Sequence, residues 1–322
     1  MAVPRIRRNA SRISAAVSAT RLDHALDRLV RSSPALRFLG LDINTNSTGY
    51  SVLSADGRVV TWGHIATTQF KSADVLDIAH AIKSALADVQ HHEQAEAALS
   101  STQLSWRVGI EDFMRMYSFG RFHNKGIFQL AQLNGVVSYT CWQQFGSRPV
   151  HTHPTAARGL LGVAATGKAS AGKVKDHVMA LVLRRERDGA ALWPSFTCHR
   201  KSNGVFRDAA FDIADSFVIA EHLRWMHWQE LLQRDDQLAA EFATTYMSLL
   251  RGADEEPSET SGKKRKTKPK VSAEQKTLDA VDEPTRQLYL RQLYEGGVVD
   301  WIASEAKRVS NKENESETPR DK

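Results

Sequence analysis

The strongest constraint on this chain is an apolar run of strand length that carries an acid. Residues 37–43, Arg-Phe-Leu-Gly-Leu-Asp-Ile, read as a buried strand, and Asp42 sits inside it. A carboxylate in that setting is costly unless it is paired or bound to a metal. Two further strand segments follow at 48–54 and 58–66, joined by Ser54-Ala55-Asp56-Gly57. Asp-Gly between apolar runs signals a hairpin. The chain then alternates: helix at 73–99, strand at 106–110, helix at 124–144, a strand around Val150, helices at 154–161 and 171–187, and a long helix at 207–234. A three-strand hairpin order followed by helix–strand alternation predicts a mixed α/β domain.

Three more acids repeat the pattern of Asp42. Glu111 ends the strand Val108-Gly109-Ile110-Glu111. Asp212 and Asp215 are spaced i, i+3 in Phe211-Asp212-Ile213-Ala214-Asp215-Ser216-Phe217, which puts both on one helix face. Their neighbours are small or apolar, so that face points into the protein. Several carboxylates on rigid elements are what a two-metal nuclease requires. Hard oxygen ligands hold two Mg²⁺ ions about 3.5–4 Å apart, one activating water and the other stabilising the leaving oxygen. Each acid alone has a plainer explanation. Asp42 or Glu111 would also suit a loop cap or a partner for a core arginine, and Asp212 a helix-start residue favoured by the dipole.

The motifs around these acids resemble the RuvC family of Holliday junction resolvases. Residues 38–53, Phe-Leu-Gly-Leu-Asp-Ile-Asn-Thr-Asn-Ser-Thr-Gly-Tyr-Ser-Val-Leu, are similar to the family's I-L-G-I-D-P-G-x-x-x-T-G-Y-G-V-I without a gap. They depart from it at Ile43-Asn44, where the family has Pro-Gly. Gly109-Ile110-Glu111 resembles A-I-E, and 129–136 resembles L-x-x-A-R-G-V. Residues 212–220 resemble D-A-A-D-A-L-A-I-A. The resemblance spans about residues 37–230. It implies a ribonuclease-H-like mixed five-stranded sheet flanked by helices. It also implies that Asp42, Glu111, Asp212 and Asp215 are catalytic metal ligands for two Mg²⁺, with Mn²⁺ as a substitute. The implied substrate is four-way junction DNA, nicked symmetrically by a homodimer.

Two departures bear on the site. The family segment G-x-x-A-S-K-E-Q-V corresponds to 167–174, and its lysine falls on Ala171. Lys168, Lys173 and Lys175 lie close by, and Lys173 is taken as the catalytic substitute. The second departure follows Glu111, where the family carries an aromatic wedge. Here the run 112–125 is longer, aromatic and basic. Phe113 and Met114 are the wedge candidates, and Arg115, Arg121 and Lys125 join the three lysines as nucleic-acid-binding residues. In the plainer alternative Phe113 belongs to the core, and Phe119 and Phe122 close the loop.

The remaining features set the surroundings. Residues 1–22 hold Arg5, Arg7, Arg8, Arg12 and Arg21 and no acid, the composition of an organelle transit peptide or of a disordered basic arm. The expected division is therefore a transit peptide at 1–34, the nuclease domain at 35–235, a disordered basic linker at 253–277 with Lys263–Lys270, and a helical extension at 278–309. The expected address is mitochondrial, with plastid or nucleus as alternatives. Cys141 and Cys198 are too few and too far apart for a disulfide framework and read as buried apolar residues. No apolar stretch is long enough for membrane insertion. His91-His92 and His151-Thr152-His153 lack the spacing partners of a zinc site. Trp225 and Trp228 read as packing or dimer residues. An RNA-processing nuclease of the same fold and a noncatalytic nucleic-acid-binding protein are the rival functions. Convergence of the four acids in space separates an enzyme from a binding protein.

Overall fold

A computed structural model describes residues 10–68, 74–99, 101–112, 124–163, 171–188, 200–252 and 273–311. The chain divides into two compact units, one from residues 1–29 with 227–305 and the other from 30–226 with 306–322.

The second unit holds the sheet: β1 (Leu36–Ile43), β2 (Ser47–Ser54), β3 (Val59–Ala66), β4 (Ser105–Glu111) and β5 (Val150–Thr152). Their spatial order is β3-β2-β1-β4-β5. β2 runs antiparallel to β1 and β3, whereas β4 is parallel to β1 and β5 to β4. This is the ribonuclease-H-like topology. The β2–β3 turn forms at Asp56-Gly57, where Gly57 has φ +88°, a conformation an L side chain resists.

Each face of the sheet is covered by helices. On one face α3 (Val75–Ala98) and α4 (Asn124–Phe145) pack onto Leu39, Leu41, Val108 and Ile110 through Ile82, Leu86, Leu133 and Val137. On the other lies α7 (Asp208–Arg234), which approaches so closely that β1 and β2 need glycine beneath it. A Cβ on Gly40 would meet the Ser216 carbonyl oxygen at 2.2 Å, and one on Gly49 the Asp212 carbonyl oxygen at 2.1 Å. The short α5 (Pro154–Leu160) and α6 (Ala171–Asp188) complete this unit's major elements. The expected strands and helices of residues 36–234 are present, with ends shifted by a residue or two.

The first unit was less legible. Residues 10–31, expected as an arm or leader, form α1 (Ala10–Ala19) and α2 (Leu22–Arg31), with Ala16, Val17, Leu22, Ala25 and Leu26 buried. Short apolar faces between arginines and serines are sufficient because other helices cover them. α1 packs against α8 (Asp236–Gly252), a helix beyond the expected end of the domain. The expected 278–309 helix is instead α9 (Ala273–Ala280) followed by α10 (Glu283–Asn311). The linker through residue 272, with Lys263–Lys270, lies outside the described residues. Within this unit Phe242, Tyr246 and Tyr294 pack ring against ring, and the Tyr246 hydroxyl donates to buried Glu274 at 2.6 Å. No helix among the described residues is long and apolar enough to cross a membrane.

Candidate active site

The sheet register brings the acids together. Along β1, residues 38, 40 and 42 share the face toward α7, because strand side chains alternate. Parallel pairing matches Gly40 with Gly109 and Leu41 with Ile110, so one step further Asp42 lies beside Glu111. Helix α7 crosses above with Asp212 over Gly49 and Ser216 over Gly40, placing Asp212 and Asp215 at the carboxyl ends of β1 and β4. Open α/β sheets place their ligands at such strand ends.

The charges interact strongly. Burial pushes the Asp42 carboxyl well above the carboxylate range, and Glu111, Asp215 and Asp212 push it further. Glu111 is pushed up to about 7, first by burial and then by Asp215, against the opposing charge of Arg158. Asp212 is raised by burial and by Asp215, and lowered by its hydrogen bond from Ser47 and by His64 and Lys175. Like charges gathered out of water favour protonation or a bound cation.

Besides His64, two basic groups face the acids. Arg158 on α5 donates through Nη2 to Asp215 Oδ1 at 2.7 Å. Its Nε is buried and has no hydrogen-bond partner among the described residues. Lys175 on α6 lies 5.2 Å from the centre of the Phe211 ring, next in sequence to Asp212. Thr152, which pairs with Glu111 across the β4–β5 ladder, adds a second buried group without a partner, its hydroxyl.

Among the described residues, no three His, Cys, Asp or Glu side chains are arranged to hold a metal ion. Asp215 is turned onto Arg158, and Asp212 onto Ser47. The donor set nevertheless fits a hard divalent cation. It consists of carboxylate oxygens whose proton affinities are raised first by burial and then by one another, both of which a bound cation would relieve.

No protein-family model matches the chain, and no curated protein matches it. Among solved structures, the chain is similar to T. thermophilus RuvC in complex with Holliday junction substrate. Identity is 15% and the TM-score 0.38, over 61% of this chain and 96% of that one. It is also similar to the yeast mitochondrial Holliday junction resolvase Ydc2, at 16% identity and TM-score 0.35, over 73% of this chain and 98% of that one. The ribonuclease-H-like topology stands on the strand order and pairing directions themselves.

The other expected site residues distribute as follows. Phe113, Met114, Arg115, Arg121 and Lys168 lie outside the described residues, as does Cys198. Lys125 and Lys173 fall in α4 and α6, their side chains outside the description. Lys175 is therefore the one lysine of the expected group that the described structure couples to the acids. Cys141 is fully buried, and burial pushes its thiol up to about 12, as an inert core residue requires. His151 Nε2 hydrogen-bonds with Asn134 Oδ1 at 2.9 Å and Ser138 Oγ at 3.0 Å, and His153 caps α5. Trp225 is buried with its indole N–H donating to Glu221, and Trp228 is buried as well, so neither offers a stacking surface. The sequence reading missed Arg158, Ser47 and His64. Arg158 had one signal, a lone charge in the apolar segment Ala156-Ala157-Arg158-Gly159-Leu160 just after a strand.

Proposed function

We propose that the protein is a metal-dependent, structure-selective DNA endonuclease, a Holliday junction resolvase acting in organellar recombination. The observation that carries this reading is the gathering of Asp42, Glu111, Asp212 and Asp215 from two strands and one helix into one cluster, where they repel one another. The four-way junction comes from the resemblance of residues 38–53 and 212–220 to the RuvC motifs.

Asp42, Glu111, Asp212 and Asp215 would hold two Mg²⁺ ions, or Mn²⁺ in their place. Bound there, the metal would supply an activated water and neutralise charge on the scissile phosphate. The chain's own groups do the rest. Glu111, whose carboxyl is pushed up to about 7 without metal, would release its proton as a cation binds. Arg158, whose side chain is 22% exposed, adds positive charge beside the acids. Lys175 adds a second positive charge beside the acids, where negative charge grows on the phosphoryl oxygens during reaction.

Symmetric nicking needs two sites. The surface proposed for the homodimer is the outer face of α4, where Phe128, Tyr139 and Trp142 are exposed in one helical stripe. The Arg-rich segment before α1 supports a mitochondrial address. Because residues 10–31 include buried helix positions, the targeting test replaces Arg5, Arg7 and Arg8 with Ala rather than deleting 1–34. Loss of import is the expected result, and retained import removes the targeting role.

Two observations favour a second reading, a noncatalytic junction- or RNA-binding protein. Arg158 already satisfies Asp215, and no coordinating geometry is set among the described residues. The deciding experiment is cleavage of a labelled synthetic four-way junction beside linear duplex DNA and RNA, with Mg²⁺ and with EDTA. Paired nicks in the junction alone, lost in EDTA and in Asp42→Asn, are expected. Tight binding without cutting would establish the second reading, and cutting of RNA alone would establish an RNA-processing nuclease.

A further inference from the structure

Asp212 is held unlike Asp215, its neighbour on the same helix face. Ser47 Oγ donates to Asp212 Oδ2 at 2.5 Å, and His64 Nε2 lies 3.9 Å from that same oxygen. The fold builds this arrangement from both strands of a hairpin. Ser47 is two residues before Gly49 on β2 and shares its face. His64 on β3 is the cross-strand partner of Gly49. The missing side chain at Gly49 admits the α7 backbone, so Asp212 descends between Ser47 and His64.

The contrast with Asp215 is chemical. Asp215 is paired with a full guanidinium, which competes with any cation for its charge. Asp212 receives its short hydrogen bond from a neutral hydroxyl, which fixes the carboxylate plane, and its basic neighbours His64 and Lys175 stand farther off than Arg158 stands from Asp215. Ser47 and His64 also address one oxygen, so they orient the group without enclosing both of its oxygens.

We propose that Ser47 and His64 are positioning residues that fix the Asp212 carboxylate for divalent-cation binding, with Oδ1 as the ligating oxygen. The proposal rests on the metal-dependent reading above, and it adds two side chains that the RuvC-like motifs do not supply.

The test is Mn²⁺ binding to the full-length protein without DNA, followed by the electron paramagnetic resonance signal of free Mn²⁺. Ser47→Ala is expected to weaken binding about tenfold, the scale on which outer-shell partners act. Ser47→Thr, which keeps the hydroxyl, should restore it. His64→Leu, on the other strand, should weaken binding in the same direction, and it tests the claim even where Ser47→Ala folds poorly. In an Asp212→Asn background, Ser47→Ala should add nothing further. Urea denaturation of each variant separates folding from metal affinity. Lower stability with unchanged Mn²⁺ affinity in Ser47→Ala and His64→Leu would overturn the positioning role. If Asp42→Asn still abolished Mn²⁺ binding in that case, the nuclease reading would survive alone. Wild-type protein with no Mn²⁺ binding sensitive to Asp42→Asn would overturn both.

Discussion

Helix α7 carries acids in two places, and the two are built in opposite ways. Toward its middle, buried Glu221 accepts both Nε and Nη2 of Arg224, at 2.8 and 2.7 Å, and a third hydrogen bond from the Trp225 indole. Near its start, Asp212 and Asp215 join Asp42 and Glu111 in a group where each acid raises the proton affinity of others. The first set is closed: the Glu221 side chain is 2% exposed and its charge is matched inside the protein, whereas Asp212 and Asp215 are 15% and 14% exposed. The second has more negative charge than its own cations neutralise. A fold selected only for stability would pair or remove those acids, since unmatched buried charge is destabilising. Their retention on rigid elements is the mark of a site that completes itself with something from outside.

The largest expected effect separates the two sets by activity. Asp42→Asn should abolish Mg²⁺-dependent junction cleavage while junction binding persists, read by gel shift and nicking on the same preparation. Without metal the variant should also be more stable than wild type, because a carboxyl whose charged form is disfavoured by burial and by its acidic neighbours has gone. A stability loss would mean that Asp42 serves the fold as Glu221 does.

The converse variant is Arg224→Ala. It strands Glu221, which is 1% exposed, without its guanidinium. Breaking a buried pair by removing one partner costs about 3–5 kcal/mol. Arg224 also packs over the Gly57 turn, so the β2–β3 hairpin should loosen with it. Chemical denaturation reads the first effect, and hydrogen exchange at residues 54–58 the second. A cost below 1 kcal/mol would remove the contrast on which the comparison rests.

How far this contrast shows in the sequence depends on the distance over which each part is decided. The four acids were visible because each violates a local pattern, an acid in an apolar strand or helix face, and local patterns are what periodicity reports. The β2–β3 turn was visible because Asp56-Gly57 carries its own conformational preference. Arg158 was not, because its meaning lies in Asp215, which is 57 residues away in sequence. Ser47 and His64 were hidden for the same reason, since a serine in a strand says nothing until α7 descends on Gly49. α1 and α2 were hidden by composition. Their buried faces are short, and their arginines and serines resemble an unstructured leader until packing partners are there, α8 in the case of α1.

The third prediction turns charge excess into pH dependence. Glu111 has a folded pKa of about 7 against an ordinary value of 4.5. Below about pH 4.5 both folded and unfolded states are protonated and the group is neutral in the balance. As pH rises toward 7 the unfolded state releases its proton first, so stability of the metal-free protein falls. Once above 7 the loss is complete, on the order of 3 kcal/mol from this group. Asp42 shifts in the same direction and deepens the fall. Melting temperature in EDTA should therefore drop between pH 5 and 8, and Mg²⁺ at pH 8 should recover part of it. Glu111→Gln should flatten the profile, whereas a profile unchanged in that variant would place the titrating group elsewhere.

Arg158 is where the comparison is most finely balanced, because it is the cluster's own version of Arg224. Its pair with Asp215 is as short, at 2.7 Å, but its side chain is 22% exposed against 5% for Arg224. Removing it leaves Asp215 partly reachable by water, so Arg158→Gln should cost about 1–2 kcal/mol in metal-free protein, well below the cost of Arg224→Ala. Added Mg²⁺ should offset that loss, since a cation can take over the guanidinium's charge. Mg²⁺ should do nothing for Arg224→Ala, whose stranded carboxylate lies away from the cluster. The measurement is a pair of urea curves for each variant, with and without Mg²⁺. If both arginine variants lose the same stability and neither responds to Mg²⁺, then Arg158–Asp215 is a closed structural pair. The cluster is then the noncatalytic kind, because one of its four acids has been committed to the fold.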